Sequence, residues 1–162
     1  MSQKSDYTSK EWQLLLDAPL AVGTAVMHAG RSGVGSVKEA MTMASSVLNV
    51  GDGYEGNELI EALVRGRVDD GDKSVIETMD SPYRGLEPDE ILQDAVDKCR
   101  AVVQLLDSKS NALETDGYLD WTLDVGIKVA KAAKEGGFLG FGGERVSQEE
   151  QRAINAIRKA FG

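Results

Sequence analysis

Apolar residues in this chain recur at three- and four-residue intervals, the period of helices that bury one face. Nowhere do they alternate cleanly over the length of a strand. Thr8-Ser9-Lys10-Glu11 is a capping box that opens a helix with Trp12, Leu15 and Leu16 on one face. Pro19 lacks the amide a helix interior needs, which predicts a kink or restart there. Leu20–Ala29 is almost wholly apolar with small residues interleaved, so it reads as a buried helix stopped by Gly30. Beyond the loop Arg31–Ser36, Ser36 caps a helix to about Leu48 whose apolar face is Val37, Ala40, Met41, Ala44 and Val47 or Leu48. Asn49–Gly56 is turn chemistry, and Asn57–Arg67 is a short helix presenting Leu59, Ile60, Leu63 and Val64.

An acidic break at 68–72 follows, then two turns of helix at Lys73–Met79 and a surface loop at Asp80–Leu86 containing Pro82 and Gly85. The strongest stripe comes next. Pro88 suits a first helical turn, and Ile91, Leu92, Ala95, Val96, Cys99, Val102, Val103 and Leu106 continue the helix, with Val96, Cys99 and Val103 expected buried. Asp107–Ala112 reads as a turn, and Thr115–Glu135 as a second long helix carrying Leu119, Leu123, Ile127, Ala130 and Ala133, its face widened by Tyr118, Trp121 and Val125. Gly136–Val146 then reads as a glycine-rich clasp between the last two helices, in which Phe138, Leu139 and Phe141 are buried anchors or, if exposed, a contact surface. Ser147-Gln148-Glu149-Glu150 is a second capping box, opening a final helix with Ile154, Ile157 and Phe161 inward. The pattern predicts the all-α class, a compact antiparallel bundle of five to seven helices in a single domain over 1–162, with residues 1–7 frayed.

Composition narrows the function more than the fold. With 41% hydrophobic and 28% charged residues the chain is ordinary globular protein, and its lone Cys99 fits a reducing, cytoplasmic setting. No basic leader with an apolar core opens it, and no 18-residue apolar run predicts a membrane span. The formal charge of −9 is unevenly distributed: residues 51–97 hold fourteen acids and four bases, so that window carries −10 and the remainder +1. Such a balance disfavours nucleic acid, whose affinity comes from Lys and Arg meeting phosphate. It favours either a solvated acidic face or a docking surface for a basic protein or divalent cations.

Few side chains invite chemistry. His28 is the only histidine and sits at a helix end among apolar residues, with neither nucleophile nor orienting acid singled out for it. Cys99 lies in the middle of an apolar stripe and reads as an inert thiol. Asp69, Asp70 and Asp72 are metal candidates, but their spacing fails an EF-hand: counted from Asp70, position 5 is Ser74, position 6 is Val75 and position 12 is Ser81. Gly140-Phe141-Gly142-Gly143 lacks the Lys-Ser/Thr of a P-loop and follows a helix instead of a strand.

The tail GGFLGFGGERVSQEEQRAINAIRKAFG resembles that of an uncharacterised family of small all-helical bacterial proteins. More distantly, VSQEEQRAINAIRKAFG is similar to a segment of TerB-like (tellurite-resistance B) domains, in which an Asp-Gly pair precedes the capping box and acidic residues bind metal. This chain has Gly142-Gly143 at the corresponding place. The resemblance implies a metal- or small-ligand-binding stress-response domain. The residues themselves imply a non-enzymatic helical binding or scaffold protein, self-associating or docking a basic protein partner through the acidic 51–97 region, with no cofactor.

Overall fold

The structure, a computed structural model, describes residues 2–30, 37–69, 83–135 and 146–162. Those residues form six α-helices and no strand: α1 (Ser9–Ala29), α2 (Val37–Val47), α3 (Glu58–Asp69), α4 (Pro88–Lys109), α5 (Ala112–Glu135) and α6 (Gln148–Phe161). They make an all-α bundle organised around α1, which packs most extensively against α4 and α5 and also meets α6 and α2. Nine consecutive residues, Ala18–Val26, are buried on all sides of α1. A helix apolar all round belongs in an interior, and here it is the axis of the bundle. Among the described residues no helix is long and apolar enough to cross a membrane.

Directions follow from contacts. Lys109 at the end of α4 pairs with Glu11 at the start of α1 at 2.7 Å, so the two helices run antiparallel. That pairing and the Thr8 amide hold the Glu11 carboxyl at about 2, well below its ordinary value. The depressed value means the contribution is present above the ordinary carboxylate range and is lost as pH falls toward 2. Tyr118 on α5 meets α1 at Leu15, and Val125 meets it near Gly23, so α5 runs parallel to α1. Two core clusters divide the length of α1. Trp12 and Leu15 join Leu59, Ile60, Leu63, Val102, Leu106, Tyr118 and Trp121 at its beginning, while Val22 and Val26 join Met43, Val47, Cys99, Val125, Val129 and Ile157 further on.

Both predicted capping boxes form: Glu11 N–H donates to Thr8 Oγ1 at 3.3 Å, and Glu150 N–H to Ser147 Oγ at 3.2 Å. Three expectations need correction. The alternative of a restart at Pro19 does not occur, because α1 stays helical through it. Residues 2–7 are not a frayed end: Ser2 donates its amide and hydroxyl to Glu114 at 3.0 and 2.9 Å, and Tyr7 donates to or accepts from Ser110 at 2.9 Å. Ser2 and Tyr7 are accordingly buried. The expected turn over 107–112 shrinks to Ser110-Asn111, because Asn111 caps α5 by accepting from Glu114 N–H at 3.0 Å while its amide donates to the Glu114 carboxylate at 2.8 Å.

On three helices the buried face also differs from expectation at particular residues. On α2, Met41 is 67% exposed, whereas Met43 is fully buried where Gly23 leaves room for its thioether. A Cβ at position 23 would overlap that sulfur, so Met43 occupies the space that Gly23 leaves open. On α5 the buried face is Tyr118, Trp121, Val125 and Val129, with Leu119, Leu123 and Ile127 only half-buried. On α4, Val96 and Cys99 are buried as expected, but Val102 is the fully buried valine and Val103 is half-buried.

Candidate functional site

Pro19 creates the first unusual chemistry. Without an amide at 19, the Leu15 carbonyl loses the donor that an α-helix would supply four residues on. Tyr118 supplies it instead: its hydroxyl donates to Leu15 O at 2.7 Å from a fully buried position. The next carbonyl, Leu16 O, accepts from Arg67 Nη2. Arg67 is 5% exposed, so a phenol from α5 replaces the donor withheld by the proline and a buried guanidinium from α3 reaches the neighbouring carbonyl. Burial pushes the Tyr118 hydroxyl far up, which keeps it a donor at any physiological pH. This joint is structural, and it fixes α3 and α5 against the middle of α1.

One face of α1 beside that joint, Asp17, Leu20, Ala21 and Thr24, forms the floor of a notch of about 240 Å³. α4 contributes Asp94 and Lys98, and the turn ahead of α4 contributes Tyr83 and Leu86. The turn is closed by Leu86 N–H donating to Tyr83 O at 3.1 Å, with Gly85 in the left-handed region at φ +84°. Pro88 and the Glu90 carboxylate, which accepts from Glu87 N–H at 2.8 Å, then start α4 and aim Asp94 and Lys98 at α1.

Inside the notch Lys98 Nζ bridges both oxygens of Asp94 at 2.5 and 2.6 Å, and Tyr83 Oη donates to Asp94 Oδ2 at 2.8 Å. Burial raises the Tyr83 phenol above its ordinary value, and the Asp94 hydrogen bond and the charges of Asp94 and Asp17 raise it further. It is therefore no base, and Lys98 is engaged with its carboxylate partner. Asp17 accepts from Gln13 Nε2 at 2.8 Å through Oδ1, and among the described residues no hydrogen bond reaches its Oδ2. The constellation can hold a ligand but has no activated nucleophile.

Of the residues singled out by sequence, Asp69 ends α3 and lines a recess of about 590 Å³ with Ser2, Lys4, Glu58, Glu61 and Arg65. Asp70 and Asp72 lie outside the described residues, as do Phe138, Leu139 and Phe141. Among the described residues no three His, Cys, Asp or Glu side chains converge to hold a metal ion. His28 lines a recess of about 290 Å³ with Glu87, Asp89, Glu149 and Arg152 where α1 ends and α4 and α6 begin. Cys99 is fully buried, and burial pushes its thiol up to about 12, so it is inert as expected.

Sequence reasoning missed the notch because its walls come from segments far apart in the chain. A polar Asp17 preceding the buried run, and Asp94 and Lys98 at i, i+4, were the available signals.

The acidic window divides spatially. Its α3 half packs at the beginning of α1, the loop 51–57 is tied to α5 where Tyr54 donates to Asp124 at 2.8 Å, and its α4 half lies toward the end of α1. Asp94 and Asp97 pair with Lys98 and Arg100, while Asp52, Asp69 and Asp89 are exposed and make no ion pair among the described residues. No family model matches the chain, and neither a curated protein nor a solved structure matches it.

Proposed function

We propose that this chain is a non-enzymatic, cytoplasmic helical binding protein that docks a basic protein partner on its acidic surface. The observation that carries the reading is the state of the described acids in the 51–97 window. Asp52, Asp69, Asp89 and Glu90 face solvent, and the window as a whole keeps a charge of −10. Fields of this kind steer oppositely charged partners and repel nucleic acid. Glu90, Asp94, Lys98 and Tyr118 are engaged in a cap, a helix pair and the proline joint, which supports binding over catalysis. Exposed large apolar side chains among the described residues, Met41, Val68, Leu86 and Leu113, sit on four separate segments. That scatter favours a charged docking partner over the broad apolar face on which obligate self-association relies. The cytoplasmic assignment rests on the single cysteine.

Affinity capture with the wild-type chain tests the reading, repeated with Asp52, Asp69 and Asp89 changed to Asn and with added salt. A basic protein should be recovered by wild type and lost in both controls. Recovery indifferent to salt and to the substitutions would overturn it.

A further inference from the structure

We infer that the notch between α1 and α4 receives a single arginine side chain of the docked partner, an assignment that rests on the basic-partner reading above. Size is the first argument. Its volume of about 240 Å³ falls below the roughly 300–1,000 Å³ of pockets that enclose a whole small molecule, and suits one long side chain. Charge is the second. Asp94 is paired with Lys98 on α4 and Asp17 comes from α1, leaving a net −1 that one monovalent cation neutralises.

The third argument is the pattern of acceptors. Tyr83 Oη spends its proton on Asp94, so toward a ligand it can only accept. Asp17 Oδ2 is a second acceptor, since Gln13 occupies only Oδ1. A guanidinium, whose donors diverge from a planar fork, can serve both, whereas an ammonium is a point charge better satisfied by water. Leu20, Ala21 and Leu86 supply apolar wall for the methylene stem, the arrangement in which long cationic side chains bury their carbons and keep their heads hydrogen-bonded. The acids on α4 outside the notch, Asp89, Glu90 and Asp97, then act as the attracting rim and the notch as the register-setting anchor.

Fluorescein-labelled hexa-arginine titrated into the full chain at low salt, with binding read by anisotropy, tests this. Asp17→Asn should weaken binding by about tenfold, as loss of one charge-assisted contact does, while Asp89→Asn, an equal charge change outside the notch, should weaken it by less than about twofold. Leu86→Ala, at a position 40% exposed and therefore safe for folding, should weaken it several-fold by thinning the apolar wall. Hexa-lysine should bind wild type more weakly than hexa-arginine does. Equal losses for Asp17→Asn and Asp89→Asn, or equal affinity for the two peptides, would overturn the notch while leaving the basic-partner reading intact. Wild-type protein that binds neither peptide would overturn both.

Discussion

At Pro19 the most buried helix of the molecule forgoes one amide, and the hydrogen bond it would have made reappears from Tyr118. Position 19 and position 118 are thereby coupled in a way that single substitutions reveal. Tyr118→Phe leaves the Leu15 carbonyl buried without its donor, which should cost about 1–3 kcal/mol in urea unfolding. In a Pro19→Ala background residue 19 again carries an amide that can donate to Leu15 O. There the same Tyr118→Phe change should cost under about 1 kcal/mol. Equal costs in the two backgrounds would show that the phenol stabilises the fold by packing alone. The proline was legible in the sequence as a defect, but its remedy was not. Nothing local announces that a tyrosine ninety-nine positions later donates to Leu15. The same holds for Ser2, whose burial depends on Glu114 being presented by the start of α5.

At the scale of elements, helical periodicity located every described α-helix, and both predicted capping boxes form, yet some residues of several faces were misplaced. The reason is that periodicity weighs apolar residues on one helix, whereas burial depends on how many neighbours that helix has. α5 is packed by α1, α2, α3, α4 and α6, so its buried arc is wide and centres on Tyr118 and Trp121 instead of on its leucines. α2 turns Met43 inward because Gly23 on α1 offers the space, a fact about another helix. On α4 adjacent valines separate the two readings. Val102 is fully buried between α1 and the aromatic cluster, while Val103 is half-buried. Val102→Asp should cost about 4 kcal/mol by stranding a carboxylate in the core, and Val103→Asp under about 1.5 kcal/mol. The difference in urea midpoints checks the buried face directly. Comparable losses at the two positions would restore the face that periodicity alone suggests.

For the molecule as a whole, the all-α class was legible because binary patterning repeats the same period in segment after segment, and consistency across segments is what specifies a class. The notch was not, since its polar groups acquire meaning only when α1 and α4 lie antiparallel side by side. Charge lies between these cases: its sum reads directly from sequence, but its energetic sign depends on pairing in space. Ion pairs at Glu11–Lys109, Asp94–Lys98 and Asp97–Arg100 favour the fold and weaken as salt rises. Each is at least partly exposed, and pairs of that kind contribute little. Against them stands a net −9, with −10 in one window, whose repulsion is relieved when the chain unfolds. Raising sodium chloride from about 10 mM to about 150 mM shortens the screening length from about 30 Å to about 8 Å, reaching the many distant like-charge pairs before the few contact pairs. Chloride as the anion keeps surface-exclusion effects such as those of sulfate out of the comparison. The urea midpoint should therefore rise across this range. The charge-neutralised Asp52→Asn, Asp69→Asn, Asp89→Asn variant should show a smaller rise, because it has less repulsion to screen. A wild-type midpoint that falls instead would mean the pairs outweigh the repulsion, and the acidic surface would then be largely self-satisfied and a poor dock for a basic partner.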